Sequence, residues 1–415
     1  MPRFEKLERI PPYTLSVVNE LKLAARRAGE DVIDLGFGNP DMPTAPHIVD
    51  KLVEAAQDPR NHGYSASRGL PNLRRAIARW YARNCSVSVD PETEVIATIG
   101  AKEGVSHFVL AAISRGDTVL VPDPCYGIHS FSVVIAGGDI RRVPIAPLDG
   151  LVARLRDAID ASWPRPKMLI CSFPHNPTTL CADVSLLADL VALCREHDMV
   201  LVHDFAYAEI AYDGYRPPSV LEVPGARDVA IEFGSLSKSH SMAGWRIGFC
   251  AGNPEMVAAL RRVKSYLDYG VFQPVQIAAI VALDGPQDCV VEIVEEYRER
   301  RDALIDGLGQ PGPACWKIEK SPGTMFVWAR IPEAFAPLGS LEFCKQLLER
   351  AQVAASPGAG FGPAGEGHVR FALVENRQRI RQAVRGIRRF LNAGSIPADP
   401  ADAGSIPAAP GSDNG

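Results

Sequence analysis

The sequence predicts an α/β protein: a large domain on a mostly parallel central sheet flanked by helices, plus a smaller α+β domain. Three observations carry this. Apolar, β-branched runs of strand length recur through most of the chain, and several are apolar on both faces, as strands covered on both sides are. Helical patterns fill the intervals, and that alternation marks a largely parallel sheet. Near residue 286 the pattern changes to long charged helices and short strands. At 415 residues the chain also exceeds one small core, since domains run about 100–150 residues.

In order, the expected strands are Val95–Ile99, Thr118–Val121, Lys167–Ser172, Met199–His203, Val229–Phe233 and Ile247–Ala251. The helices among them are Lys102–Ile113, Val184–Glu196 and Glu255–Leu267. A charged helix over Cys289–Leu308 then leads to a hairpin (Trp316–Lys320 with Met325–Arg330). A helix Ser340–Ala351, a strand His368–Leu373 and a last helix Arg377–Leu391 follow. Pro11 and Pro12 precede an amphipathic helix from Thr14. The resulting domains are 46–285 (large) and 286–391 (small), with 1–45 packing against the small one. From Asn392 the composition is rich in Ala, Gly, Pro, Ser and Asp and repeats AGSIP at 393 and 403. Such a segment buries too little apolar surface to offset its ordering entropy, so 392–415 reads as a disordered tail.

Composition narrows the function. The chain is 47% hydrophobic and 22% charged, with 44 basic against 49 acidic residues and a net charge of -5. It has no overall attraction for nucleic acid or anionic membrane. No apolar run approaches the length of a membrane span. MPRFEKLERIPPY lacks the apolar core of a signal peptide, so a cytoplasmic setting is expected. Nine scattered cysteines without a CxxC pair, and nine histidines without HExxH spacing, point to no metal site.

One stretch dominates the chemistry: GSLSKSHSMAGWRIGF, Gly234–Phe249. Burying an ammonium costs several kcal/mol, about 2–7 even for a neutral polar group. Apolar surroundings favour the neutral amine, the form in which a lysine captures an aldehyde. Ser235, Ser237 and Arg246 form a candidate phosphate clamp around Lys238, since a guanidinium grips phosphate with two parallel hydrogen bonds. A surface loop with a stray lysine is the competing reading. Asp204 ends the run MVLVHD, at the carboxyl edge where α/β sheets bind ligands; a helix cap looks the same. In FPHNPT the Asn-Pro turn presents Asn176 at that edge. In ATIGAKEGV a strand turns through Gly100 into a helix whose free N–H groups suit a phosphate.

These four features in this order resemble the class I/II, fold-type I pyridoxal 5′-phosphate (PLP) aminotransferases. Within them the chain is most similar to bacterial glutamate–pyruvate (alanine) aminotransferases, related to LL-diaminopimelate aminotransferases. The resemblance spans about Arg9 to Leu391. It is carried by LGFGNPD (35–41), HGYSASRGLPNLRRAIARWY (62–81), HDFAYAEI (203–210), SLSKSHSMAGWRIGF (235–249) and HVRFALVEN (368–376). It implies that Lys238 holds the coenzyme aldehyde and shuttles the substrate proton. Asp204 would pair with the pyridine nitrogen, Tyr207 and Asn176 with the ring 3′ oxygen, and Tyr126 would stack on the ring. Gly100, Ala101 and Lys102, with Ser235, Ser237 and Arg246, would hold the phosphate. Arg370 would bind the substrate α-carboxylate, Gly38 would let backbone approach the substrate, and Tyr13 would help cover it. Tyr64 would reach a neighbouring subunit's phosphate, which makes a homodimer with active sites at the subunit interface.

The implied reaction is transfer of an amino group between an L-amino acid and a 2-oxo acid, with alanine and 2-oxoglutarate leading. A transaminase for a bulkier aliphatic, aromatic or specialised amino acid is the alternative. A coenzyme-binding regulator would need a basic DNA-binding domain ahead of Gly36, and a non-catalytic homologue would lack Lys238, Asp204 or Arg370. Thr179 stands where the family often has glycine. His175 and Cys125 also depart from the common pattern, which bears on substrate choice.

Overall fold

The computed structural model describes residues 8–10 and 14–394. Tyr13 lies outside this range, as does the expected tail beyond Gly394; the last helix, Arg377–Ala393, takes in Asn392 and Ala393. Spatial proximity of backbone positions divides the described chain into two compact units. The smaller takes residues up to Gly38, Glu299–Lys320 and those from Met325 onward. The larger takes Asn39–Arg298 and Ser321–Thr324. The division falls inside the helix Asp288–Leu308, later than the change of pattern at residue 286.

After the helix Thr14–Arg27 comes a short strand, β1 (Ile33–Asp34). The larger unit then supplies β2 (Val95–Thr98), β3 (Thr118–Asp123), β4 (Asp139–Pro144), β5 (Met168–Ser172), β6 (Val200–Asp204), β7 (Ala230–Ser235) and β8 (Gly248–Gly252). They form one seven-stranded sheet in the order β2-β8-β7-β6-β5-β3-β4. β8 is antiparallel to both neighbours and the other pairings are parallel.

The residues explain the layering. Leu120, Leu169, Cys171 and Leu201 join one apolar core with the helices Pro71–Cys85, Val184–Glu196 and Gln273–Asp284. Their alternate neighbours Val119, Val121, Met168, Ile170 and Val202 join the other, with Ala101–Ala112 and Pro254–Leu267. Successive side chains of a strand point to opposite faces, so a run apolar at every position needs a helical layer on each side. β4, DIRRVP, escapes the apolar-run criterion because it is a half-exposed edge strand. All nine cysteines are free, and burial pushes the thiols of Cys171 and Cys250 well above their ordinary range.

One buried acid ties the larger unit together. Glu232 on β7 is fully buried. It accepts hydrogen bonds from the Tyr81 hydroxyl at 3.0 Å, Ser219 Oγ at 2.7 Å, the Val220 N–H at 2.8 Å and His203 Nδ1 at 2.8 Å. A helix, a turn and two adjacent strands thus share one carboxylate. Glu232→Ala is expected to strand all four donors and cost about 3–5 kcal/mol. Urea unfolding checks this, and a loss under about 1 kcal/mol would mean that the donors find other partners.

The smaller unit holds β9 (Phe326–Arg330), β10 (Val353–Ala354), β11 (Ser356–Pro357) and β12 (His368–Ala372). β11-β12-β9 form an antiparallel sheet, and β1 pairs in parallel with β10. The N-terminal segment is tied in by the Ile33 N–H to the Gln352 carbonyl and by the Leu35 N–H to the Ala354 carbonyl, both 2.9 Å. The expected hairpin Trp316–Lys320 with Met325–Arg330 does not form. β9 pairs with β12, and Trp316–Lys320 is not a strand. The intervening Ser321–Thr324 bonds to Ile210–Tyr212 instead of closing a tight turn. Trp316 packs edge-on to Phe343 and Phe371, and its indole N–H donates to the Arg330 carbonyl at 2.8 Å.

Candidate active site

Strand register gathers the larger unit's expected residues at one edge. β2, β3, β5, β6 and β7 run the same way, so Thr98, Asp123, Ser172, Asp204 and Ser235 mark their carboxyl ends. β8 runs back, and Gly248 at its start pairs with both Thr98 and Ser235. Arg246, just before β8, therefore lies at the same edge, where Gly100 leaves β2 and Lys238 follows β7.

The phosphate-like cradle forms where Gly100 caps the helix Ala101–Ala112. Gly100 has φ +75°, and a Cβ there would stand 2.4 Å from Arg246 Nη2. Only glycine accepts both that backbone and that guanidinium. Arg246 also donates to the carbonyls of Ile99 at 3.2 Å and Ala243 at 2.9 Å, which fixes its plane. Gly248 is equally constrained: a Cβ would meet the Gly234 carbonyl oxygen at 2.8 Å and Ala101 N at 2.9 Å. Gly248→Ala is expected to push the cradle backbone aside and, if the cradle holds the phosphate that the sequence resemblance implies, to weaken binding of PLP about tenfold or more. Titration of the apoenzyme with PLP tests this, and an unchanged Kd would place the phosphate elsewhere.

Beneath the cradle, Glu103 accepts from the Ile99 N–H at 2.7 Å. The buried Lys264 ammonium lies 3.0 Å from Glu103 and 3.2 Å from Asp268. Burial pushes the Glu103 carboxyl up, but His107, Lys264 and the Ile99 N–H outweigh it and hold it below the ordinary range. Glu103, His107 and Asp268 converge as metal ligands would, yet the Lys264 ammonium already pairs with both acids.

Asp204 is buried at the end of β6. One carboxylate oxygen accepts from the Ala206 N–H at 3.2 Å, and the other lies 2.9 Å from His129 Nε2. Sequence reading missed His129; its signal was a place one helical turn after Tyr126, whose ring it meets edge-on at 5.9 Å. Lys102 is exposed at its helix, but its ammonium reaches to 6.0 Å from the Tyr126 ring. Asn176 Nδ2 donates to the Tyr207 hydroxyl at 3.5 Å, and both residues are buried. Burial, and then His129, push the His175 imidazole down to about 3, so it is neutral at working pH. It bonds Thr178 through Nδ1 at 2.7 Å and shapes the turn. Ser235 caps the short helix Leu236–Ser239 by accepting from the Ser237 N–H, and this turn presents the half-buried Lys238. The flanking histidines have structural partners: His203 bonds Glu232, and His240 bonds Ser239 and the Ala282 carbonyl.

Tyr64 does not join this group of contacts. It is 85% exposed and packs on Tyr269 with ring centroids 4.6 Å apart. In the smaller unit, Arg370 on β12 is buried between the rings of Phe326 and Phe361, 4.2 and 4.5 Å from their centroids. Its Nη2 donates to the Gly36 carbonyl at 3.2 Å. A Cβ on Gly38 would stand 2.7 Å from the Phe326 ring, so glycine there is what lets Phe326 lie against the arginine. Neither phenylalanine was legible as a site residue.

A helix N-terminus with an arginine suits a phosphate, a buried carboxylate suits a protonated ring nitrogen, and a half-buried lysine suits an aldehyde. The residues present therefore fit a coenzyme of the pyridoxal phosphate kind. The chain belongs to the aminotransferase class I and II family, whose model matches residues 30–387. Over 397 residues it is 54% identical to the glutamate-pyruvate aminotransferase AlaC of Escherichia coli (strain K12), covering 95% of this chain and 96% of that one. It is 40% identical to the LL-diaminopimelate aminotransferase of Moorella thermoacetica, over 94% and 99% of the two chains. Among solved structures, substrate-bound BacF from Bacillus subtilis matches with a TM-score of 0.87 at 33% identity, over 94% and 98%. The protein is thus a PLP-dependent aminotransferase of fold type I. Among the described residues no helix is long and apolar enough to cross a membrane.

Proposed function

We propose that the enzyme catalyses L-alanine + 2-oxoglutarate = pyruvate + L-glutamate. The observation that carries this choice is 54% identity, over nearly the whole of both chains, to a glutamate-pyruvate aminotransferase. A purified-protein assay with a panel of amino acids and 2-oxo acids tests it. Turnover of another pair, with none of alanine and glutamate, would transfer the assignment to a bulkier or specialised amino acid.

PLP, when bound, supplies an electron sink for the substrate Cα and carries the amino group between the two half-reactions. The chain's residues do the rest. Lys238 Nζ would hold the coenzyme aldehyde and, once freed by substrate, would carry the proton from Cα to C4′. Asp204, oriented by His129 and the Ala206 N–H, would keep a proton on the pyridine nitrogen. Asn176 and Tyr207 would donate to the ring 3′ oxygen, and Tyr126 would stack on the ring. Gly100, Ala101, Lys102, Ser235, Ser237 and Arg246 would hold the phosphate. Arg370 would bind the α-carboxylate, with Gly38 nearby in its unit; Tyr13, outside the described residues, would help cover the substrate.

The working form in this reading is a cytoplasmic homodimer. Tyr64, Tyr266, Tyr269 and Phe272 expose aromatic surface on the larger unit, which a second copy would cover, placing Tyr64 at the partner's phosphate. Gel filtration or ultracentrifugation reads this, and a monomer with full activity would remove the role of Tyr64.

A further inference from the structure

Ser321–Thr324 packs in the larger unit, while its chain neighbours on both sides pack in the smaller. It lies along the loop that follows Tyr207. Gly323 bridges Ala211 in antiparallel fashion, the Tyr212 N–H donates to the Pro322 carbonyl at 2.7 Å, and the Thr324 N–H donates to the Ile210 carbonyl at 2.9 Å. The Tyr212 hydroxyl donates to the Thr324 carbonyl. The Ile210 N–H in turn donates to the Tyr207 carbonyl at 3.1 Å.

The same four residues also touch the turn that presents Asn176. Ser321 Oγ donates to the Thr179 carbonyl at 2.6 Å. Gly323 lies against the base of the turn, where a Cβ would stand 3.0 Å from Cys181 Sγ and 3.2 Å from the Pro174 ring. Two buried threonines at these contacts hold left-handed backbone: Thr324 at φ +73° and Thr179 at φ +60°. For a β-branched residue that conformation costs about 1–2 kcal/mol, and it persists only where the surroundings over-determine it. The Ser321 bond holds the carbonyl of one of them.

We propose that Ser321–Thr324 is a strap that sets the spacing between Asn176 and Tyr207, and so the hydrogen bonds these two make to the ring 3′ oxygen of PLP. Ser321 and Gly323 act through other residues and are positioning residues. The inference rests on the reading above that Asn176 and Tyr207 hold that oxygen.

The experiment titrates the visible absorbance of PLP-loaded enzyme with pH, alongside melting, for Gly323→Ala, Ser321→Ala and Tyr207→Phe. The first crowds the turn by a few tenths of an ångström, the second removes one hydroxyl, and the third removes the direct contact. Both strap variants are expected to move the absorbance midpoint in the direction that Tyr207→Phe moves it, by about half a unit, or about 0.7 kcal/mol. kcat should fall more than KM changes. If Tyr207→Phe moves the midpoint while both strap variants keep the wild-type value, the strap only stabilises the fold and the inference fails by itself. If Tyr207→Phe leaves the midpoint in place, the reading of the 3′ oxygen falls and the inference with it. Should Gly323→Ala fail to fold, Ser321→Ala decides alone, since it adds no bulk.

Discussion

Lys238→Ala is expected to abolish transamination and the visible absorbance of the loaded enzyme while leaving the fold in place. Lys238 is half-buried on a four-residue turn after β7. That turn is held by Ser235 Oγ on the Ser237 N–H and by the buried Leu236. Truncation at Cβ therefore removes chemistry and leaves the cradle at Gly100, Arg246 and Gly248 intact. A positioned base contributes about 10²–10⁴-fold to a proton transfer, and here the same amine also anchors the coenzyme. The variant should still bind PLP through the phosphate groups, without covalent capture. Turnover within about tenfold of wild type would mean that another amine serves.

Arg370→Leu should raise KM by about 30-fold or more for every amino-acid substrate, since a buried charge-assisted pair lost from one side costs about 2–5 kcal/mol. Melting is expected to hold or rise. Arg370 lies against Phe326 and Phe361 on an apolar strand, and the desolvation cost of a buried charge can exceed what its contacts return. This opposite response of binding and stability is what separates a substrate-binding cation from a structural one. Arg370→Lys should recover little, because an ammonium offers neither the two-pronged geometry nor the flat face that the two rings grip. Unchanged KM in Arg370→Leu would assign the α-carboxylate to another group. A large fall in melting would make the arginine a structural element.

Much of the fold was legible because its cause is local. β2, β3 and β5–β8 lie within a few residues of where apolar runs place them, since a strand covered on both faces must be apolar at every position. β4 was not legible, because an edge strand half in water needs no such run. The helix Val184–Glu196 begins and ends where its pattern does, with Asp183 accepting from the Leu186 N–H as its cap. The failed hairpin at Trp316–Lys320 shows the limit: the hydrogen bonds of the intervening Ser321–Thr324 go to Ile210 and Tyr212, far away in sequence.

The candidate site divides in the same way. Lys238, Asp204, Asn176 and Gly100 were readable because each sits where an apolar run ends, and their order along the chain is itself a pattern. Thr179, flagged for standing where glycine is common, has the positive φ that explains why glycine is common there. By itself the sequence determined six of the seven strands of the larger sheet, the lysine turn and the family resemblance, since periodicity, turn chemistry and motif order need no knowledge of distant contacts. Only the tertiary structure decided that His129 meets Asp204, that two phenylalanines lie against Arg370, and that Ser321–Thr324 bonds both to Thr179 and to the loop after Tyr207. Those contacts join residues far apart in the chain, and no local preference encodes a distance between side chains brought together by packing.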